Sequence, residues 1–427
     1  MSERPDDRAE ERARLEALET GQIPLPAPAA AEPAPRIPAE IWTLLASTFF
    51  IAVGFGLIVP VLPQYADSFG VSAFLVTIVV SAFAVMRLAA APIAGPLVDR
   101  LGERPMYIAG LLIVAASSFA TAFAGDYWQL LVYRGLGGIG SVMFTIAASS
   151  MVVKFSPPAI RGRVSSLWGG MFLIGGISGP FFGGLLAQLG VRVPFIAYGI
   201  GLCIAAAIVA VVLGRVQRRR AEAAAAPKAP PMPLAEALAL PAYRAALAFG
   251  FANGWANMGL RSAVVPLFVS QLLSGEPWAA GAIVAVGAVG NVLALQWAGR
   301  ASDRLGRRPL ILVGVAIAFV GIVLFAITGA LWFAFVASFV AGLGSGLSAP
   351  AEQAAIADLI GRDRSGGRPL AVFQMSQDVG QIAGPMVAGL IIDAWGYPWA
   401  FGAAALVMAV PFVAWLLAPE TLRRDAG

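Results

Sequence analysis

The sequence predicts an all-α integral membrane protein, with twelve transmembrane helices in two six-helix parallel pseudo-repeats. Three observations carry that prediction. The 427 residues are 59% hydrophobic and only 12% charged, about half the charge of a soluble globular chain. Twelve apolar segments, each about the ~20 residues a bilayer requires, follow one another along the chain. A charged stretch, Gly95-Pro-Leu-Val-Asp99-Arg100-Leu-Gly102-Glu103-Arg104-Pro105, returns 204 positions later as Gly299-Arg-Ala-Ser-Asp303-Arg304-Leu-Gly306-Arg307-Arg308-Pro309.

In chain order, residues 1–38 carry mixed charges and then a Pro/Ala-rich run with no apolar core of a signal peptide. They read as a disordered cytosolic tail, with a short helix over Asp7–Leu18 and a regulatory role as the alternative. The N-terminal half (39–214) holds apolar segments at 41–63, 74–95, 106–125, 128–152, 164–188 and 194–214. A cytosolic linker (215–241) carries Arg218-Arg219-Arg220 and Ala/Pro-rich sequence. The C-terminal half (242–420) holds segments at 244–268, 278–299, 309–329, 331–354, 370–393 and 397–418, and 421–427 form a short cytosolic tail. Arginines and lysines crowd the linker and the loops after the second, fourth, eighth and tenth segments, whereas the opposite loops hold only Arg192. That asymmetry predicts cytosolic termini in a plasma-membrane protein.

The repeat extends beyond the charged stretch. Val59-Pro60 recurs as Val265-Pro266 after 206 residues, and Gly179-Pro180 as Gly384-Pro385 after 205. An even number of spans per half gives parallel repeats. In the charged loops, Gly95 and Gly299 permit close helix approach at a span end. Gly102 and Gly306 permit the positive φ of a very short turn. Asp99 and Asp303 sit where a helix leaves the bilayer, and Arg100, Arg104, Arg304 and Arg308 can pair with them or with helix ends. A hairpin that only fixes topology is the alternative.

G-x-L-x-D-R-x-G-x-R between the second and third spans resembles the signature loop of the major facilitator superfamily, and the second copy looks like its weaker repeat. Glu103 departs from the basic residue common there. The resemblance implies the major facilitator fold and a loop that clasps and gates the two halves. Span five carries Gly175-Gly-Ile-Ser-Gly179-Pro180-Phe-Phe-Gly183-Gly184. Glycines four apart make a smooth face for close packing, and Pro180 removes a backbone donor. The whole pattern resembles the antiporter motif of drug/proton exporters in that superfamily. Arg134 and the glycines after it resemble the fourth-span motif, which implies a part in proton coupling; snorkelling to the surface is the alternative.

With no histidine in the chain, proton coupling must use a carboxylate. Asp378, about 12 Å along span eleven, is the deepest acid. It is the expected proton carrier, its pKa tuned by Arg134 or Arg87; a permanent structural ion pair is the alternative. Span one lacks the acid that many multidrug exporters carry there, and its first, Asp67, lies at the outer end. Arg261 and Glu352 read as snorkelling residues near span ends. Trp255, Asn253, Asn257, Phe50, Phe55, Gln374, Gln377, Met143 and Phe144 are candidates for a central cavity taking lipophilic or cationic-aromatic compounds.

The expected function is proton-driven export of drug-like or amphipathic small molecules. The partners are that cargo, protons and the lipid bilayer; no nucleic acid, cofactor or metal is expected, and the chain is expected to act as a monomer. A narrow exporter of a sugar, amino acid or siderophore, a facilitator, or a non-transporting receptor are the rivals. No nucleophile–base pair and no G-x-x-x-x-G-K-[ST] loop appears, so neither enzymatic chemistry nor ATP hydrolysis is expected. The lone Cys203 permits no intramolecular disulfide.

Overall fold

The computed structural model describes residues 37–155, 161–216, 232–274, 276–361 and 367–422. The expectations for the N-terminal tail up to residue 36, for the linker over 217–231, for Arg362 and Arg364, and for 423–427 lie outside the described residues.

Among the described residues, twelve helical passes cross the molecule. Span one is Ala39–Ile58, continued after a break by the short helix Leu62–Asp67. Pro60 and Pro63 cause the break, since neither can donate a backbone hydrogen bond. Spans two to six are Ala73–Leu101, Glu103–Ala122, Tyr127–Phe155, Arg161–Ala187 and Val193–Val216. A short helix, Leu234–Ala239, ends the linker. Span seven comes in four consecutive pieces, Pro241–Asn253, Gly254–Leu260, Arg261–Phe268 and Val269–Leu273, of which the second and fourth are π-helical. Spans eight to twelve are Pro277–Leu305, Arg307–Ile327, Leu331–Ile360, Gly367–Trp395 and Tyr397–Leu417.

Among the described residues, ten of these helices are long and apolar enough to cross a bilayer on their own composition. The other two are spans seven and eleven. Span seven is broken by its π turns and holds Asn253, Asn257 and Arg261. Span eleven holds Gln374, Gln377, Asp378 and Asp393. Polar groups at membrane depth are costly and face the protein interior or a water-filled cavity.

The repeat in the sequence is a repeat in packing. A Cβ on Gly140 of span four would lie 2.5 Å from Gly110 O of span three, and one on Gly344 of span ten 2.5 Å from Gly314 O of span nine. The two pairs are the same positions of the two halves, 204 apart. Without a hydrophobic force between helices in lipid, such glycine contacts let backbones touch and hold the bundle by dispersion.

Candidate transport cleft and its closures

The halves meet at the end opposite the two charged loops. Ala73 N and Phe74 N of span two donate to Asp393 Oδ1 and Oδ2 of span eleven, at 2.9 and 3.0 Å. Gln271 Nε2 donates to Asp67 Oδ1 at 2.8 Å, and Ser81 Oγ to Ile382 O at 3.1 Å. Among the described residues these are the side-chain hydrogen bonds that join the halves. Two glycine crossings close the same end. Gly281 of span eight packs on Pro180 O and Gly184 of span five, and Gly389 of span eleven on Thr77, Phe74 and Ala73 of span two. These crossings are also repeat mates, since Gly389 follows Gly184 by 205 and Gly281 follows Thr77 by 204.

Towards the charged loops the halves part. A Cβ on Gly95 or Gly299 would meet nothing within 4 Å, so the expected close approach at these glycines is absent in this conformation. Among the described residues, the hydrogen bonds and glycine crossings that join the halves therefore gather at the end away from the loops.

The span-five glycines divide their work between two partners. A Cβ on Gly175 would lie 2.5 Å from Ala52 C, and one on Gly179 2.5 Å from Gly56 Cα, while Gly183 packs on the Leu57 backbone. This face, spaced i, i+4 and i+8, holds span one within the N-terminal half. Gly184 and the Pro180 carbonyl meet Gly281 of span eight in the other half, while the Pro180 ring lies against Gly56 of span one. The degenerate copy does likewise, with Gly380 and Gly384 on span seven and Gly389 on span two.

At the loops, Gly102 and Gly306 carry φ of 90° and 111°. Arg104 Nη2 donates to Ala210 O of span six at 2.5 Å. Arg308 donates through Nε to Trp415 O at 3.0 Å and through Nη2 to Leu416 O at 2.6 Å, both on span twelve. Arg100, Asp303 and Arg304 are exposed. The sequence reading missed Arg307 as the hub of the second loop. Its guanidinium reaches Asp303 at 2.5 Å, Asp358 at 3.0 Å and Ser302 Oγ at 3.0 Å. Glu420 was also missed. Its carboxylate caps span nine, accepting Arg307 N at 2.9 Å and Arg308 N at 3.0 Å, and also takes Thr421 N and Leu422 N. Burial pushes this carboxyl up, but the N–H groups of Leu422, Arg307, Arg308 and Thr421 together hold it below its ordinary value. The first copy has Glu103 where the second has Arg307, so the two loops differ electrostatically.

In the N-terminal half, Arg134 is 5% exposed and its Nε has no hydrogen-bond partner. The guanidinium lies 4.2 Å from the Phe83 ring centroid and 5.9 Å from that of Phe55. This is a cation stacked on aromatic faces, an arrangement that partly replaces a counter-ion. Asp378 is half-buried, and its Oδ1 accepts Gln374 Nε2 at 3.3 Å on the same helix face. Neither Arg134 nor the half-buried Arg87 forms an ion pair with it, so tuning by direct contact does not occur in this conformation.

The cavity candidates scatter. Phe55 is partly exposed beside Phe83 and Arg134, and Phe50 meets its neighbour Phe49 edge to face at 5.8 Å. Met143 is buried, and Phe144 packs on Tyr107 of span three at 6.2 Å. Trp255 is buried against Gly384 of span eleven, where its indole N–H finds no acceptor, and Gln377 is wedged between spans seven and eleven. Asn257 donates to Asn253 at 2.7 Å. With Arg261 and Ser338, Asn257 also lines a cavity of about 30 Å3 enclosed by spans seven, nine, ten and twelve, room for a water or two.

Two snorkelling expectations are corrected. Arg261 turns inward, donating to Val284 O at 2.8 Å. It stands 206 after Phe55, and Ser338 stands 204 after Arg134. Each half thus sets one arginine at the same crossing, from opposite helices. Glu352 is fully buried, and neither carboxyl oxygen is bonded; the neighbouring Trp415 indole lies outside hydrogen-bond geometry. Residue counts along a helix give depth, not the side a residue faces, and both corrections arise there.

The Major Facilitator Superfamily profile matches residues 44–289 and 248–426. The chain belongs to the major facilitator superfamily. Among its relatives, it is 27% identical over 381 residues to the tetracycline resistance protein, class H, of Pasteurella multocida, covering 86% of this chain and 94% of that one. It is 30% identical over 174 residues to the quinolone resistance protein NorA of Staphylococcus aureus, covering 41% of this chain and 45% of NorA. In fold it is similar to a bacterial homolog of the human lysosomal transporter Spinster in an inward-facing, unoccupied conformation, with TM-score 0.72 and 19% identity over 90% of this chain and 98% of that one. This facilitator chain is a multi-pass membrane transporter.

Proposed function

We propose that this facilitator exports drug-like or amphipathic small molecules from the cytosol by alternating access, driven by a proton gradient and without any other cofactor. On this reading it works as a monomer in the plasma membrane, with its termini and charged loops cytosolic. The observation that carries the reading is span five. Its glycine–proline face seals the end of the cleft away from the loops by packing on spans one and eight at once. A seal there favours loading from the loop side, and the same motif type belongs to exporters by resemblance. Similarity to two proteins named for tetracycline and quinolone resistance supports the same cargo class.

Asp378 is the proton carrier in this proposal. It is half-buried with one weak hydrogen bond, so a proton can exchange without breaking an ion pair. Arg134 and Arg87 provide positive charge in the facing half and act on Asp378 as the halves rock, not through contact. The test is internal pH in inverted vesicles energised to an acid interior, read while lipophilic cations and antibiotics are added. Compound-dependent alkalinisation that is lost in Asp378→Asn is the expected result. Undiminished exchange in Asp378→Asn removes Asp378 from the mechanism. Silence across the panel favours a narrow exporter of a sugar, amino acid or siderophore, or a facilitator.

A further inference from the structure

Asp393 stands near the C-terminal end of span eleven, where its own helix disfavours negative charge. Its carboxylate looks instead to the other half. The two oxygens accept Ala73 N and Phe74 N, the first two unpaired donors of span two, while Ser72 Oγ takes the third, Leu75 N, at 3.4 Å. A helix N-terminus favours an anion, so the charge that is misplaced on its own helix is well placed on its neighbour's. Beside it runs a second clasp. Tyr397 OH donates to Gln271 Oε1 at 2.5 Å, and Gln271 Nε2 donates to Asp67 Oδ1 at 2.8 Å. This chain ties the foot of span twelve and the end of span seven to the end of span one. Gly389, four residues before Asp393, allows the approach: a Cβ there would lie 2.7 Å from Phe74 Cα.

We propose that Asp393, together with Asp67, Gln271 and Tyr397, is the latch that holds the closed end of the cleft, and that releasing it permits opening on that side. Asp393 and Gln271 are exposed at the rim. When the halves separate, water can therefore replace the partners that Asp393, Ala73 and Phe74 lose. A buried ion pair would not release so easily, because parting it strands two charges. Asp393 is a positioning residue: it selects the conformation and does not touch cargo. The inference rests on the alternating-access reading but not on the cargo or on proton coupling.

Thr77 is fully buried under Gly389, one turn inside the latch. In a Cys203→Ala background, Thr77→Cys is labelled with a membrane-impermeant maleimide on intact cells. Asp393→Ala should raise its labelling rate roughly ten-fold. Asp393→Asn should fall between, since it keeps one acceptor oxygen and loses the charge. Ala73→Pro deletes one donor at a helix position that tolerates proline, and should raise labelling while leaving Asp393 in place. Gln271→Leu, which severs both bonds of the second clasp, should add to Asp393→Ala. The latch is overturned if Asp393→Ala with Gln271→Leu, and separately Ala73→Pro, label no faster than the parent while eluting as monodisperse protein. A merely structural role would lower the melting temperature without speeding the label. Asp126→Cys, in an exposed loop at the same end, reports orientation. If it is labelled only in inverted vesicles, the orientation reading fails and the same comparison there reads the latch. The assay needs no substrate, so its outcome does not depend on which cargo the protein carries.

Discussion

Arg104 and Arg308 do the same thing in the two halves. Each leaves the glycine turn after a long even-numbered span and donates to carbonyls of the last span of its own half, Ala210 O in one case and Trp415 O with Leu416 O in the other. The donors are 204 apart, and Ala210 and Trp415 are 205 apart. On span twelve, Trp415 and Leu416 fall among the last four residues, so Arg308 satisfies unpaired acceptors and the negative helix end together, whereas Ala210 lies six residues before the end of span six and Arg104 shares a carbonyl within the helix. The loop motif therefore also fastens each half internally.

Arg308→Lys keeps the charge but loses the planar fork that reaches two carbonyls at once. It should cost about 1–2 kcal/mol, read as a lower melting temperature in detergent. Arg104→Lys, with one carbonyl at stake, should cost less. Equal losses from the two would show that charge alone carries the effect.

The repeat, the number of spans and the polar character of spans seven and eleven were legible in the sequence, because each is a matter of spacing and composition. The ends of spans two and eight were not. Their charged last turns resemble loop, yet the helices run on to Leu101 and Leu305 and stop only at the positive-φ glycines. The facing of buried charges was not legible either: Glu352 and Arg261 read as snorkelling residues near span ends, yet Glu352 is fully buried and Arg261 turns inward to Val284 O. Asp393 did leave a signal, since an acid near a helix C-terminus is misplaced unless something else holds it.

Glu420 predicts a pH dependence. Its folded carboxyl lies below the ordinary 4.5, because four backbone N–H groups outweigh burial. The unfolded chain therefore binds the proton more readily, and stability rises with pH through this group. The contribution is fully present above about pH 4.5 and is lost as pH falls through the lower folded value. Glu420→Gln should melt earlier than the parent at pH 7, and the gap should close on acidification below 4.5. A gap that persists unchanged at acid pH would show that packing, not the carboxylate, fastens the C-terminus to span nine.

Span five offers a matched pair of glycine variants. A Cβ on Gly179 would lie 2.5 Å from Gly56 Cα and 2.7 Å from Val53 O, backbone that can move only if span one moves. One on Gly176 meets nothing within 4 Å. Gly179→Ala should cost about 1–3 kcal/mol through overpacking, whereas Gly176→Ala should be neutral or slightly stabilising because alanine favours helix. Thermal melts of the two purified variants settle it. Equal behaviour would mean that the glycine face tolerates side chains and is not a packing surface.

Glu352 argues in the opposite direction, towards gained stability. Its carboxyl is fully buried on span ten with both oxygens unbonded, beside an indole N–H that is also unbonded. A buried polar group without a partner costs about 1–3 kcal/mol relative to an apolar one of similar shape. Glu352→Met keeps the length of the side chain and removes that cost, so the variant should melt several degrees higher while retaining the activity of the parent. Trp415→Phe should be nearly silent in the Met background, because the indole has lost its polar neighbour. A fall in stability on Glu352→Met would mean that the carboxyl has a partner, and loss of transport with stability intact would mark Glu352 as a working group in the C-terminal half.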